Sequence, residues 1–199
     1  MNTKKPRIVL SSQSPRRIAL LKEMGIEFTT HPSAVDERLI EAHSPREFAM
    51  KAAYLKAQDV ASHYDEAIII AADTVVVIDD RILGKPADAA DARRMLETLS
   101  GRKHRVITAV AVCNSHTGNV LLDTESTDVY FKILSPGEID DYIRSGDPLD
   151  KAGAYGIQTI GERFVEKIEG DYHNVVGFPI NKVKEILEIF LPPKSAEDK

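Results

Sequence analysis

The chain has 199 residues, enough for one large domain or two small ones with a substantial hydrophobic core. Hydrophobic residues make up 43% and charged residues 29%, and the formal net charge of −5 gives no general attraction to nucleic acid or to an anionic membrane. One cysteine excludes an internal disulfide, and no apolar run has the length of a membrane span or of a signal peptide. We therefore expect a cytoplasmic protein in which any basic site is local.

Hydrophobic periodicity and the positions of glycine and proline predict a mixed series of strands and helices without internal repeats. Strands are predicted at 7–10, 67–78, 81–83, 104–112, 120–133 and 164–168, and helices at 15–24, 45–62, 89–99, 136–144 and 179–190. The turn at 116–119 joins two long strands as a hairpin, which excludes a purely parallel, doubly wound sheet. We predict one α/β domain over 1–191, an elongated mixed sheet flanked by helices, and a disordered tail over 192–199.

The segment after the first strand places two arginines in the first turn of a helix. Ser14 is predicted to be the N-cap and Pro15 the first helical residue. A helix N-terminus carries partial positive charge, so each cation there is disfavoured by roughly 0.3–1 kcal/mol. Arg16 and Arg17 are explained if an anion such as a phosphate binds at this end. The alternative is a simple cap with two solvated arginines.

Two other Ser-Pro helix starts in the chain serve as internal controls. Ser44 and Ser135 are each followed three residues later by a glutamate, the pattern of a capping box. At the first site, the residue three positions after Ser14 is an arginine. This contrast favours an anion site at Ser14.

A carboxylate inside an apolar strand is the second unusual feature. Asp73 lies within the β-branched run 67–78, where burying an unpaired charge costs several kcal/mol. Such a group is either satisfied structurally by backbone donors or an arginine, or it opens onto a functional cleft. In a regular strand the next residue, Thr74, points to the opposite face, and it meets a ligand only if the strand ends or bulges there.

Three other polar residues carry no functional signal when each is considered alone. Glu37 resembles an ordinary loop acid, Lys56 a surface lysine on the second helix, and Lys85 the tip of a common turn. The glycine-containing segments 147–158 and 170–179 are predicted to be irregular, which suits backbone lying against a ligand. The chain has no His-x-x-x-His, no P-loop, no dinucleotide-binding Gly-x-Gly-x-x-Gly and no nucleophile elbow. The remaining residues fit metal-assisted chemistry on a phosphorylated small molecule.

Six short motifs, in order, carry a resemblance to a known family. They lie at Ser12–Arg17, Ala71–Val76, Gly84–Pro86, Ser100–His104, Asp150–Gln158 and Gly170–Gly177. Together they resemble the Maf family of nucleoside triphosphate pyrophosphatases, from about residue 8 to residue 190. The resemblance implies a fold similar to that of inosine triphosphate pyrophosphatases. It also implies hydrolysis between the α and β phosphates with a divalent cation, in housecleaning of the nucleotide pool, and a link to arrest of cell division.

The resemblance further implies a branch and a set of site residues. Arg16, Thr74 and Gln158 match the specificity residues of the branch that acts on dTTP and UTP. A glutamine amide offers one donor and one acceptor, which suits the O4 and N3–H edge of thymine or uracil. The resemblance assigns Asp73 as general base or metal ligand, and Glu37 is the candidate second carboxylate for Mg²⁺ or Mn²⁺. The predicted phosphate-binding residues are Ser14, Arg16, Lys56 and Lys85.

Partners and alternatives follow from the same residues and the same resemblance. The expected partner is a nucleoside triphosphate, with no nucleic acid and no membrane, and a homodimer is implied by the family alone. The alternative function is a non-catalytic, nucleotide-sensing regulator of septum formation. The acidic net charge disfavours a DNA-binding version of this alternative, and the intact Asp73 disfavours an inactive enzyme.

Overall fold

The structure is a computed structural model that describes residues 6–191. Within this range the chain forms seven strands and seven α-helices. The strands are β1 (Arg7–Leu10), β2 (Thr29–Thr30), β3 (Ala67–Ile78), β4 (Arg81–Leu83), β5 (Lys103–Asn114), β6 (Val120–Phe131) and β7 (Val165–Glu169). The helices are α1 (Pro15–Glu23), α2 (Pro45–Ala61), α3 (Ala89–Leu99), α4 (Pro136–Arg144), α5 (Ile157–Phe164), α6 (Tyr172–Val176) and α7 (Ile180–Phe190). None of these helices is both long enough and apolar enough to cross a membrane.

All seven strands belong to one mixed sheet. The order is β2-β1-β3-β5-β6-β7, and β4 pairs with the far end of β3. β1 is parallel to both of its neighbours, whereas every other pair is antiparallel. The chain therefore leaves β1 to one side through α1 and returns to its other side through α2. This reversal at the carboxyl end of β1 is the kind of position where open α/β sheets form a ligand-binding crevice.

The two faces of β3 are buried against different helices. Odd-numbered residues such as Ile69 and Val75 pack with α2, whose facing residues Ala49, Ala53 and Ala57 are small and fully buried. Even-numbered residues contribute to the larger core on the other face, which includes side chains of α1, α3 and α7. Burial of one Val or Ile side chain is worth about 1.5–3 kcal/mol, so a β-branched strand buried on both faces is strongly anchored.

One edge of β3 lacks a strand partner along part of its length. β1 pairs with β3 only as far as Leu10 opposite Ile70, and β4 pairs only from Leu83 opposite Val76. In the described part of the chain, no strand covers residues 71–75 on this side. The opposite edge remains paired with β5 throughout, so the gap is rigid.

The α/β fold with a mixed sheet and flanking helices is confirmed, and most element predictions agree to within a few residues. β5 is longer than predicted at both ends, and β6 ends at Phe131, two residues early. The two-residue strand β2 is not among the predicted strands. The capping box is complete at Ser135, whereas the glutamate that follows Ser44 accepts instead from the His43 backbone. The predicted tail at 192–199 lies outside the described residues.

The two segments that were predicted to be irregular contain more helix than expected, at the end of the first and in the middle of the second. Segment 147–158 contains two short 3-10 turns and then enters α5, so that Gln158 is helical. Segment 170–179 contains α6, which Asp171 caps through the Asn174 N–H. In both cases the glycines lie at the helix boundaries, Gly156 before α5 and Gly177 after α6, and do not disrupt the helices.

A buried histidine lies in an aromatic cluster beneath the sheet. His104 is 2% exposed, and its ring lies 4.9 Å from that of Phe131. Its Nε2 atom is 2.7 Å from the Tyr155 hydroxyl, while Nδ1 has no hydrogen-bonding partner in the described residues. Burial lowers the pKa of His104 from 6.5 to about 4, so the ring is neutral in the folded protein at pH 7.

We predict that His104 makes the protein less stable in mild acid. The unfolded chain binds a proton at His104 near pH 6.5 and the folded chain only near pH 4, so the free energy of unfolding falls as the pH drops through this window. Between pH 7.5 and 5.0 the loss from this residue is about 2 kcal/mol. Urea unfolding at both pH values should show a smaller loss in His104→Phe, whereas His116→Asn, in an exposed turn, should match wild type. An identical loss in His104→Phe and wild type would contradict the assignment.

Candidate active site

A cleft of about 600 Å³ lies over the open edge of β3. Its walls come from the residues after β1, the start of α1, the turn after β4, the 3-10 turns before α5 and the end of α6. Seven of the eight residues predicted for the site line it: Ser14, Arg16, Glu37, Lys56, Asp73, Thr74 and Lys85. The topology thus brings together residues that are up to 71 positions apart in the chain.

The start of α1 borders the cleft as the sequence predicts. The Ser14 side chain accepts from the Arg17 backbone N–H at 3.5 Å, and the Ser14 N–H donates to Ser12 Oγ at 3.1 Å. Arg16 lines the cleft, and its guanidinium has no hydrogen-bond or ion-pair partner among residues 6–191. Its guanidinium is therefore available to an anion.

Arg17 has a different role from its neighbour. It donates to the Ala72 carbonyl at 2.7 Å, to the Gly177 carbonyl at 2.9 Å and to Thr74 Oγ1 at 3.0 Å. The Ala72 carbonyl lies on the strand edge that no neighbouring strand covers. Arg17 therefore occupies the place of a missing strand and joins α1, β3 and the end of α6. Three of the five guanidinium donors of Arg17 are thus taken by the protein, which sets Arg17 apart from Arg16 as an anion ligand.

Asp73 and Glu37 share one lysine. Asp73 faces α2, and its Oδ1 lies 2.7 Å from Lys56 Nζ. Glu37 begins a 3-10 turn above the cleft, and its Oε1 lies 2.5 Å from the same nitrogen. Partial burial favours a higher pKa for Glu37, but the Lys56 ammonium outweighs it and holds this pKa below its usual range. Both acids therefore contact the same cation.

Lys85 projects from the turn after β4 into the same cleft. Its ammonium group has no hydrogen-bond or ion-pair partner among residues 6–191. Its charge nevertheless helps to lower the pKa of Glu37. The neighbouring Gly84 carbonyl accepts from the Gly153 N–H at 3.0 Å, which joins this turn to the segment before α5. Lys85 is thus a positioned cation without a direct protein partner in the described chain.

Lys151 is a site residue that sequence reasoning missed. It lines the cleft, is 8% exposed, and contacts Asp150 Oδ1 at 2.6 Å and Asp147 Oδ1 at 2.9 Å. A Cβ atom at Gly156 would lie 2.7 Å from Lys151 Cε, so this glycine is needed for the lysine to lie where it does. The Asp-Lys-Ala-Gly run contains the signal, a lysine beside acids and glycines, but the prediction used only the glycines.

The two remaining specificity candidates differ in their surroundings. Thr74 Oγ1 lies 3.0 Å from Thr108 Oγ1, besides its bond with Arg17, on the face of β3 opposite Asp73. Both faces of the strand reach the cleft because the edge is open. Gln158 is exposed in the first turn of α5 and does not line the cleft, although the preceding residue, Ile157, does.

The cleft has an excess of positive charge in an acidic protein. Five cations line it, Arg16, Arg17, Lys56, Lys85 and Lys151, against the three acids Glu37, Asp73 and Asp150. Within residues 6–191 no group of three or more His, Cys, Asp or Glu side chains forms a ready-made metal cage. Two converging carboxylates nevertheless suit a hard cation such as Mg²⁺, which takes one or two protein carboxylates and fills its remaining positions with water and phosphate oxygens.

We predict opposite stability effects for the two adjacent arginines. Arg17→Ala removes the donor from two backbone carbonyls and a hydroxyl, and we expect it to lower the free energy of unfolding by about 2–4 kcal/mol. Arg16→Ala removes an unpaired cation from a helix N-terminus and should leave stability unchanged or slightly higher. Urea denaturation of both variants provides the measurement. Equal effects of the two substitutions would contradict the distinction.

Comparison with known proteins agrees with this geometry. The family model described as Maf-like protein matches residues 7–190. A dTTP/UTP pyrophosphatase of Dictyoglomus thermophilum is 49% identical over 184 residues, covering 92% of this chain and 95% of the relative. A protein of the same name from Clostridioides difficile is 43% identical, covering 91% and 93%.

A structural comparison extends the likeness to the fold. The solved structure of the Staphylococcus aureus Ham1 protein superposes with a TM-score of 0.54 at 14% identity, covering 92% of this chain and 99% of that one. At this identity the likeness concerns the fold alone. The family match, by contrast, spans nearly every described residue and all of the cleft. The chain therefore belongs to the Maf family.

Proposed function

We propose that this protein hydrolyses the bond between the α and β phosphates of dTTP and UTP and releases the monophosphate and pyrophosphate. The relatives that carry the name dTTP/UTP pyrophosphatase match at 43–49% identity over most of their length and support this substrate class. One observation carries the proposal for this chain. A cleft large enough for a nucleotide combines a buried carboxylate with two cations, Arg16 and Lys85, that lack direct partners in residues 6–191.

The phosphate-binding role falls to the start of α1 and to the lysines. The helix N-terminus at Ser14 and the free guanidinium of Arg16 would bind the triphosphate from one side. Lys85 and Lys56 would neutralise charge from the other walls of the cleft. Negative charge moves onto the leaving pyrophosphate in the transition state, and cations that are already in position stabilise it there.

Asp73 is the proposed catalytic residue. The residue is buried and lines the cleft, where its carboxylate would accept the proton of the attacking water. Together with Glu37 it would also hold a divalent cation, Mg²⁺ or Mn²⁺, whose chemistry is to polarise the phosphate and to orient the water. Lys56 contacts both acids in the free protein and holds them close together.

Base recognition is proposed to involve Gln158, Thr74 and Arg16. Gln158 does not line the cleft, but it follows the lining residue Ile157 and is exposed, so its amide would meet a base that extends past α5. The Thr74 hydroxyl is engaged by Arg17 and Thr108, which suggests that it shapes the base-binding wall through these neighbours.

The broader setting remains prediction. We propose housecleaning of the nucleotide pool as the cellular role, a cytoplasmic location, a domain over 1–191 and a homodimer, with no nucleic-acid partner. A link to the arrest of cell division belongs to the same proposal. The alternative is a non-catalytic nucleotide sensor, which an assay of nucleotide hydrolysis distinguishes from an enzyme. A sensor would bind nucleotide without turnover, whereas a buried Asp73 side chain that lines a cationic cleft favours chemistry.

We expect Asp73→Asn to remain folded and to lose nearly all turnover. A neutral amide can neither accept a proton from water nor hold a divalent cation as a carboxylate does. Pyrophosphate release from a panel of nucleotides with Mg²⁺ or Mn²⁺ provides the measurement. The matched control is Asp79→Asn, the same change in the turn just after β3 and outside the cleft, which should retain wild-type activity. A fully active Asp73→Asn protein would remove Asp73 from the mechanism.

We expect Gln158→Ala to weaken discrimination between pyrimidine and purine nucleotides. An unmade hydrogen bond at the base costs about 1–3 kcal/mol, so the ratio of kcat/KM for UTP over GTP should fall by roughly tenfold to a hundredfold. Gln13→Ala, which removes a glutamine that lines the cleft beside α1, should change both substrates alike. If the ratio stays constant in Gln158→Ala, the base is read elsewhere.

A further inference from the structure

The position of the Lys56 ammonium group is more constrained than phosphate binding requires. Its Nζ lies 2.7 Å from Asp73 Oδ1 and 2.5 Å from Glu37 Oε1. Only 14% of the Lys56 side chain and 8% of the Asp73 side chain are exposed. The ammonium therefore lies directly between the two acids and is largely shielded from solvent. Its charge is matched by carboxylates and is not free for a phosphate.

The same place suits a divalent cation. Both carboxylate oxygens contact one nitrogen, so they are at most about 5 Å apart. Two oxygens bound to one Mg²⁺ at about 2.1 Å are separated by roughly 3–4 Å. A small movement of the exposed Glu37 side chain would bring the pair to that spacing, because Glu37 lies on a surface 3-10 turn whereas Asp73 is fixed in β3.

The ammonium and a divalent cation exclude each other from this place. A metal ion bound to the same two oxygens would lie within about 5 Å of Nζ, where the repulsion between the two charges is large in a shielded site. Lysine has a flexible four-carbon side chain, so its ammonium can move away while the backbone of α2 stays in place.

We infer that Lys56 is a resident counter-ion for the Glu37–Asp73 pair, which it leaves when a divalent cation binds there. In the free protein, the ammonium contacts both carboxylates and offsets their charge. On metal binding it is released into the cleft, next to Arg16 and Lys85, where it becomes the third cation available to the triphosphate. This inference rests on the proposed function for the assignment of the two acids as metal ligands.

The test measures Mn²⁺ binding to the nucleotide-free protein through the electron paramagnetic resonance signal of the Mn²⁺ that remains free. Lys56→Met removes the competing charge and keeps the length of the side chain, so it should bind Mn²⁺ at least about tenfold more tightly than wild type. Lys85→Met is the matched control, because Lys85 also acts on Glu37 electrostatically but does not contact either acid. It should bind Mn²⁺ within about twofold to threefold of wild type.

A second readout is thermal stability. Without metal, Lys56→Met leaves the two acids unpaired and should melt at a lower temperature than wild type, and saturating Mn²⁺ should raise its melting temperature more than that of wild type. Lys56→Gln repeats both measurements with a polar side chain if Lys56→Met does not fold. Equal Mn²⁺ affinity in wild type and the Lys56 variants, or weaker binding in the variants, would overturn the inference.

The test of the exchange at Lys56 and the test of the proposed function can fail independently. Nucleotide hydrolysis by wild type together with unchanged Mn²⁺ affinity in the Lys56 variants would reject the exchange and leave the function intact. Tighter Mn²⁺ binding in the variants without any nucleotide hydrolysis by wild type would support the exchange and reject the function.

Discussion

The open edge of β3 between residues 71 and 75 is the constraint on which the rest of the site depends. β1 is too short to cover it and β4 begins beyond it, so the backbone of a central strand is exposed within the fold. Buried backbone carbonyls require partners, and Arg17 supplies one for Ala72. The same gap gives Asp73 access to solvent and ligand from a position that would otherwise lie in the core.

The pairing of charges in the cleft follows from this opening. A buried charge is costly unless it is paired, and Lys56 provides the partner of Asp73 from the neighbouring helix. Lys151 is paired with two acids, and Arg17 donates hydrogen bonds to two backbone carbonyls. After these pairings, Arg16 and Lys85 are the cleft cations that lack a direct partner among residues 6–191. The protein is acidic overall, but this cleft is locally cationic. A bound polyanion would lie there beside the Asp73 carboxylate.

Sequence reasoning predicted the fold and most of the candidate residues that line the cleft, for different reasons. The β-branched run of β3 and the hairpin of β5 and β6 were visible as periodicity, and so the mixed sheet was predictable. Arg16 was found because a cation conflicts with a helix N-terminus. Glu37, Lys56 and Lys85 carry no local signal, since each is ordinary until the topology places it opposite the others. They could be predicted only from the family resemblance.

The misses have physical causes. Arg17 and Arg16 are adjacent and identical, and only the tertiary contacts with Ala72 and Gly177 separate a bracing residue from a free cation. The helix α5 was missed because glycines at its boundary were taken as evidence of irregular structure, although Ile157, Ile160 and Phe164 follow helical spacing and are buried.

The most direct test of the central claim is the position of oxygen transfer. UTP hydrolysed by the wild-type protein in ¹⁸O-labelled water with Mg²⁺ should give UMP and pyrophosphate in equal amounts. Attack of water on the α-phosphorus predicts one ¹⁸O atom in UMP and none in pyrophosphate, as measured by mass spectrometry. Label in the pyrophosphate, or formation of UDP and orthophosphate, would contradict attack at the α-phosphorus in this cleft.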